Sequence, residues 1–331
     1  MTFQYRNVFV EDAATIAGPY EAEGPLKKYF DKTFDNLYNG EKTWETAEVK
    51  VLEESISTLL KKTKRKKEEI DVIISGDLLN QITSSCYSAE KFGFPFLGIY
   101  SACATSIEGM IIGSSLIDGG KIETAIAATS SHNMSSEKQF RNPTEYGAPK
   151  PKTATFTATG GASILLSTEN SGIKVESSTI GRIMDYNQTD PFNMGAVMAP
   201  AAADTIYRHF MDLNRSPDYY DLILTGDLGM YGKEILIDFM KKEYGIDIKD
   251  KYNDCGTMLY DLERQKEVQA GGSGPVCSAL VNYSLILKML KEKKLKKVLL
   301  IATGALFSPT FVYQHENILS IAHAISLEVI K

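Results

Sequence analysis

One eight-residue word occurs twice in this chain. Asp71-Val72-Ile73-Ile74-Ser75-Gly76-Asp77-Leu78 returns as Asp221-Leu222-Ile223-Leu224-Thr225-Gly226-Asp227-Leu228, with five identities in eight positions. Each copy is a short apolar run closed by a Gly-Asp turn signal, the pattern of a strand buried on both faces. The echo continues in the same order. Cys103 heads a helical pattern over 105–117, Cys277 precedes another helix, and each helix leads to a strand ending Ala-Thr, at Ala128-Thr129 and Ala302-Thr303. Strand, Cys-headed helix and strand in both copies imply a duplicated α/β unit with parallel strands. The unequal spacing of the echoes puts extra residues in the second copy, around 241–270. We read the halves as 1–170 and 171–331, related by a pseudo-dyad, with a site where the two sets of strand ends meet.

Composition narrows the function classes. Hydrophobic residues make up 43% of the 331 and charged residues 24%, which fits a globular core and excludes disorder, collagen and coiled coil. A formal net charge of −6 argues against nucleic acid as a partner. The lysine-rich run at 61–69 reads as the solvated end of a helix over 44–62, whose Leu52, Ile56, Leu59 and Leu60 form one face. Four cysteines make no disulfide framework. The first ten residues include Gln4, Arg6 and Asn7, unlike a secretory signal, and the longest apolar runs, at 122–128 and 298–302, have strand length. The expectation is a protein on the cytoplasmic side, held at a membrane only through partners.

Few residues offer chemistry. Small side chains crowd Cys103 on both sides, and a helix starts there. A thiol in that position is favoured as thiolate and can serve as a nucleophile, but a free cysteine is as often a small buried hydrophobe. Cys86, Cys255 and Cys277 fit no metal spacing. His132, ending the strand after the Cys103 helix, is the best histidine for lining a pocket. His323 reads as a core residue, and His209 and His315 carry no assigned role. Asp71 and Asp221 start strands as turn residues, whereas Asp77 and Asp227 end them and either face the pocket or cap the next helix. The Gly-rich stretch 271–274 lacks the P-loop lysine and the dinucleotide spacing, so its glycines serve close backbone approach. No cofactor or metal site is expected.

The duplicated pattern, the Ser101-Ala102-Cys103-Ala104-Thr105-Ser106 turn and the stretch 270–275 resemble the thiolase-like condensing enzymes. More narrowly, the words at 75–81, 130–133, 137–147, 190–195, 198–202, 225–229 and 322–324 resemble the stage V sporulation protein AD family. The resemblance implies an α/β, thiolase-like fold of duplicated βα halves with layered helices and mixed sheets. It also implies a homodimer, and an insertion over 133–159 that covers the cleft. The family's implied role is to bind dipicolinate (pyridine-2,6-dicarboxylate), alone or with calcium, for uptake into the developing spore. It would do so as a soluble member of a group of membrane-associated proteins from one operon.

Condensing enzymes take from two places in the second half a His or Asn to hold the oxyanion and a second His, Asn or Cys to move the proton. Here those places read Gly226-Asp227-Leu228-Gly229 and Gly272-Ser273-Gly274. The nucleophile position is kept and its helpers are replaced. The resemblance therefore implies a non-enzymatic binder whose pocket is the old cleft, with Cys103, His132, Asp77, Asp227, Ser273, Gly272 and Arg141 as ligand-binding residues. Arg141 is the expected carboxylate clamp; a calcium ion bridging Asp227 and the ligand is the alternative. The competing readings are acyl transfer by Cys103 on a CoA or carrier-protein thioester, and a purely structural subunit.

Overall fold

The computed structural model describes residues 1–140 and 150–330. The first half contributes β1 (Phe9–Ala17), α1 (Trp44–Thr63), β2 (Val72–Gly76), α2 (Thr83–Phe92), β3 (Phe96–Gly98), α3 (Thr105–Asp118), β4 (Thr124–Ser131), α4 (Asn133–Phe140) and β5 (Gly160–Ser167). The second half contributes β6 (Ile173–Thr179), α5 (Met194–Leu213), β7 (Leu222–Thr225), α6 (Gly229–Tyr244), β8 (Tyr252–Asp254), α7 (Pro275–Val281), β9 (Lys297–Leu306) and β10 (Leu319–Val329). The sheet order is β3-β2-β4-β5-β1 in the first set and β8-β7-β9-β10-β6 in the second, the same order twice. In each set the two repeat-derived pairings, at the outer end of the order, are parallel, and the two inner ones are antiparallel. The halves join through a bridge from Phe9 to Lys174 and through the N-terminal residues Thr2–Gln4, which pair with 177–179. The fold is thiolase-like, and the repeated words are β2 and β7 with the turns that follow them.

Strands β2, β4 and β5 are buried at every residue because helices cover both sheet faces. α1 and α2 lie on one outer side and α5 and α6 on the other, while α3 packs between the two sheets against β2, β4, β9 and β10. α3 is apolar around most of its circumference, as a central-layer helix must be. Its Gly109 and Gly113 let it close onto the sheet, since an added Cβ would stand only 3.3 and 3.2 Å from the Cβ atoms of Ala127 and Ala125.

α1 ends near the expected point and starts from a Thr43–Thr46 capping box. α5 runs from Met194 through Pro200 to Leu213. A helix-interior proline forfeits one backbone hydrogen bond, which here is offset by burial of Pro200 and its neighbours against β9 and β10. The extra residues of the second copy fall mainly between β8 and α7, where they carry Tyr260 into the core beside Glu21.

Candidate functional site

The strand ends of both halves meet at a cleft. It encloses about 570 Å³, its open part included, and its lining contains Cys103, Asp227, Ser273 and Gly274 together. Cys103 sits in the short turn Ala102–Ala104 immediately before α3. Ala102 has φ of +48°, the left-handed region that a non-glycine residue enters at a cost. The turn is pressed onto the sheet by two strand-end glycines. A Cβ on Gly76 would lie 2.1 Å from the Ile99 carbonyl oxygen, and one on Gly304 would lie 2.4 Å from that of Ser101.

The divergence of the repeat delivers Asp227 to the cleft. In the first copy Asp77 is a capping residue. Its Oδ1 accepts from the Leu79 N–H at 2.9 Å, and its Oδ2 accepts from the Ser85 N–H at 2.8 Å and the Ser85 hydroxyl at 2.7 Å. In the second copy this work is done from the neighbouring strand. Asp254, ending β8, accepts from the N–H groups of Leu228 and Gly229, both at 2.9 Å, and from the Thr225 hydroxyl at 2.7 Å. Asp227 is thereby released from capping. Its Oδ1 accepts from the Thr303 hydroxyl at 2.6 Å, its Oδ2 accepts from the Gly274 N–H at 3.2 Å, and its carboxyl also hydrogen-bonds Cys103. Burial lifts the Asp227 carboxyl to about 7, against the pull of the Thr303 and Cys103 hydrogen bonds.

The geometry corrects several expectations. His132 is not in the lining: it is fully buried, one ring nitrogen bonded to the Leu37 carbonyl at 2.8 Å and the other accepting from the Met134 N–H at 3.2 Å. A strand-end histidine with both nitrogens satisfied inside the protein is a structural residue. Asp77 is likewise spent on α2 and does not line the cleft. Gly272 lies just behind the lining, where an added Cβ would meet Cys277 Sγ and the Tyr260 ring, each at 2.9 Å. Arg141 lies outside the described residues. Cys277, expected ahead of a helix, is inside α7 and buried.

Other lining residues escaped the sequence reading. Ser136, Glu137 and Phe140 on α4 form one wall, and Met194, Met198 and Phe307 an apolar one, with Tyr100 and Leu78 at the rim. Glu137 pairs with Lys150 at 2.8 Å. Thr303 was within reach of the repeat: its counterpart Thr129 donates to the Gly76 carbonyl, and Thr303 instead meets the released Asp227. The described part of 133–159 contributes Ser136, Glu137, Phe140 and Thr157 to the lining.

Among the described residues no group of three or more His, Cys, Asp or Glu side chains could hold a metal ion. As a chemical device the site is a thiol beside a buried carboxyl. An ionised Asp227 would oppose an oxyanion rather than hold it, and the Ser273–Gly274 turn brings no imidazole.

The stage V sporulation protein AD family model matches residues 1–328. The chain belongs to the stage V sporulation protein AD family. It is 48% identical over 321 residues to stage V sporulation protein AD of Bacillus subtilis (strain 168), covering 97% of this chain and 94% of that one. Among solved structures it resembles 3-oxoacyl-[acyl-carrier-protein] synthase III from Aquifex aeolicus VF5, with a TM-score of 0.57 and 13% identity over 97% of this chain and 99% of the other. It also resembles an OleA variant from Xanthomonas campestris, with a TM-score of 0.62 and 14% identity over 98% and 99% of the two chains. At these identities the likeness to both structures concerns the fold. As a member of the sporulation family the chain keeps their architecture, and among the described residues no helix is long and apolar enough to cross a membrane.

Proposed function

We propose that this sporulation-family protein is a non-enzymatic binding protein for dipicolinate, and that it takes part in moving that ligand into the developing spore. The observation that carries the reading is the cleft itself. The Cys103 turn and its pocket are retained, while the two helper positions hold Asp227 and Ser273. The pocket offers what a flat aromatic dicarboxylate needs. Phe140, Phe307, Met194 and Met198 supply apolar surface, and Ser273, Thr157, Tyr100 and Cys103 supply short-range polar contacts. Arg141 follows Phe140 directly in the chain and is the proposed charged clamp. The protein acts as a homodimer alongside membrane proteins of the same operon, which provide its attachment to the spore membrane. Calorimetric titration with dipicolinate, with and without calcium, tests the reading. Binding by the wild type that weakens at least tenfold in Cys103→Ala or Arg141→Ala supports it, and a protein that binds no dipicolinate under either condition overturns it.

The fold favours one rival, acyl transfer at Cys103. Loss of one oxyanion donor costs an enzyme about 10²–10³ in rate, and here two helper positions have changed. Incubation with acetyl-CoA or malonyl-CoA is expected to leave the intact mass unchanged and to release no CoA above background. An acyl adduct on Cys103 with measurable product would establish the enzyme instead.

A further inference from the structure

The cleft described above has an unusual charge for a place that receives an anion. Among the described residues its lining carries two carboxyl groups, Asp227 and Glu137, and no Lys, Arg or His. Lys150, the cation nearest this wall by its bonding, is held on Glu137. A dicarboxylate entering this cleft brings negative charge towards an ionised Asp227, and like charges repel at short range in a partly buried site. The lining also holds an unused donor. Ser136 is only 5% exposed, its Oγ has no hydrogen-bond partner among the described residues, and it borders the cleft. A buried hydroxyl left without a partner costs free energy that a ligand acceptor would recover.

We propose that the cleft binds its carboxylate ligand together with one proton, carried on Asp227, so that the Asp227 acid and the Ser136 hydroxyl face the ligand as neutral donors. The inference rests on the binding reading above and assigns the protonation state and two of the donors of that same site. The balance is simple: protein, dianionic ligand and one solvent proton combine, no covalent bond is made, and the proton is released when the ligand leaves.

The groups around Asp227 fit this assignment. Cys103 faces it from the turn before α3, Thr303 from β9 and the Gly274 N–H from the Gly-rich strand. Asp254 acts on it from the end of β8, Cys255 and Cys277 lie within its field from the two following helices, and Glu137 stands in the cleft wall on α4. The Thr303, Cys103 and Gly274 hydrogen bonds favour the ionised form, while burial, the largest effect, and the Asp254 carboxyl favour a proton on Asp227. Burial already holds that carboxyl near neutrality in the free protein, so the proton is available at physiological pH.

Dipicolinate is the probe, titrated calorimetrically from pH 6 to 9 in two buffers of different ionisation enthalpy. Wild-type protein is expected to take up close to one proton per ligand at pH 8. Its dissociation constant should rise about tenfold between pH 8 and 9 and change little below pH 6.5. Asp227→Asn should bind with no proton uptake and a flat pH profile. Glu137→Gln should keep the wild-type slope, and Ser136→Ala should bind about tenfold more weakly with proton uptake unchanged. Binding by the wild type without proton uptake at pH 8, or a wild-type slope in Asp227→Asn, overturns this inference and leaves the dipicolinate reading standing. No binding at any pH overturns both.

Discussion

At the scale of single residues, buried carboxyls set this protein's response to pH, and Glu21 shows it most simply. It is fully buried; its Oε1 accepts from the Tyr260 hydroxyl and from the Thr159 N–H at 3.0 Å, and its Oε2 has no partner. Burial pushes its carboxyl from the ordinary 4.5 up to about 7, more than those hydrogen bonds pull it down. A carboxyl raised on folding contributes stability that is fully present below its unfolded value and lost as pH climbs through the folded one. The unfolded chain binds fewer protons in that window, so stability falls between about pH 4.5 and 7 and is flat above. The shift corresponds to about 3 kcal/mol at 1.36 kcal/mol per unit. Glu21→Gln stays neutral at every pH and removes this dependence. Urea unfolding at pH 5 and pH 8 is expected to show the variant gaining up to about 3 kcal/mol on wild type between those values. A difference that does not change with pH would mean that Glu21 is ionised inside the fold.

At the scale of elements, the two copies of the repeat are built from the same stitches put to different uses. Asp71 starts β2 and accepts from the N–H groups of Glu123 and Thr124, pinning the start of β4; Asp221 starts β7 and accepts from those of Lys296 and Lys297, pinning β9. The strand-end aspartates then part company, with Asp77 capping α2 and Asp227 facing the cleft. Asp77→Ala would strand the Leu79 and Ser85 donors in a buried place and should cost about 3 kcal/mol. Asp227→Asn keeps an acceptor for Thr303 and should change stability by less than about 1 kcal/mol while altering ligand binding. Denaturant midpoints of the two variants check the contrast; equal losses would show that Asp227 is also a fold-holding residue. The repeat made the strands, the Cys103 helix and the pseudo-dyad legible in the sequence, because buried parallel strands announce themselves as short apolar runs. It could not separate the two aspartates, since the decision lies with Asp254, a residue on a third strand that no local pattern links to either. His132 misled for a related reason: its ring nitrogens are satisfied by Leu37, far away in sequence, and by the Met134 backbone.

At the scale of the whole molecule, the two ends of the strand order are treated differently. The β8 end is enclosed: Tyr252 and Asp254 are buried, and the Lys233 ammonium donates to the Asn253 side chain at 2.7 Å. The β3 end is open. Its three residues pair only with β2 among the described residues, Leu97 is 42% exposed, and Tyr100 and Tyr87 are exposed nearby. An uncovered sheet edge with apolar side chains invites pairing with another strand; here the edge carries no charge, and only its three-residue length and the preceding Pro95 blunt it. The symmetric solution is a second copy of the same edge across a two-fold axis, which is how the homodimer expected from the sequence would be built. Sequence alone does not mark β3 as the outermost strand, because strand order is a property of the assembled sheet. Sedimentation equilibrium should therefore give wild-type protein at twice its 36.6 kDa chain mass. Leu97→Lys places a charge on the exposed edge, where it should change monomer stability by no more than about 0.5 kcal/mol and yet shift the protein to the single-chain mass. A wild type that sediments as one chain, or a Leu97→Lys variant that remains dimeric, would remove β3 as the interface.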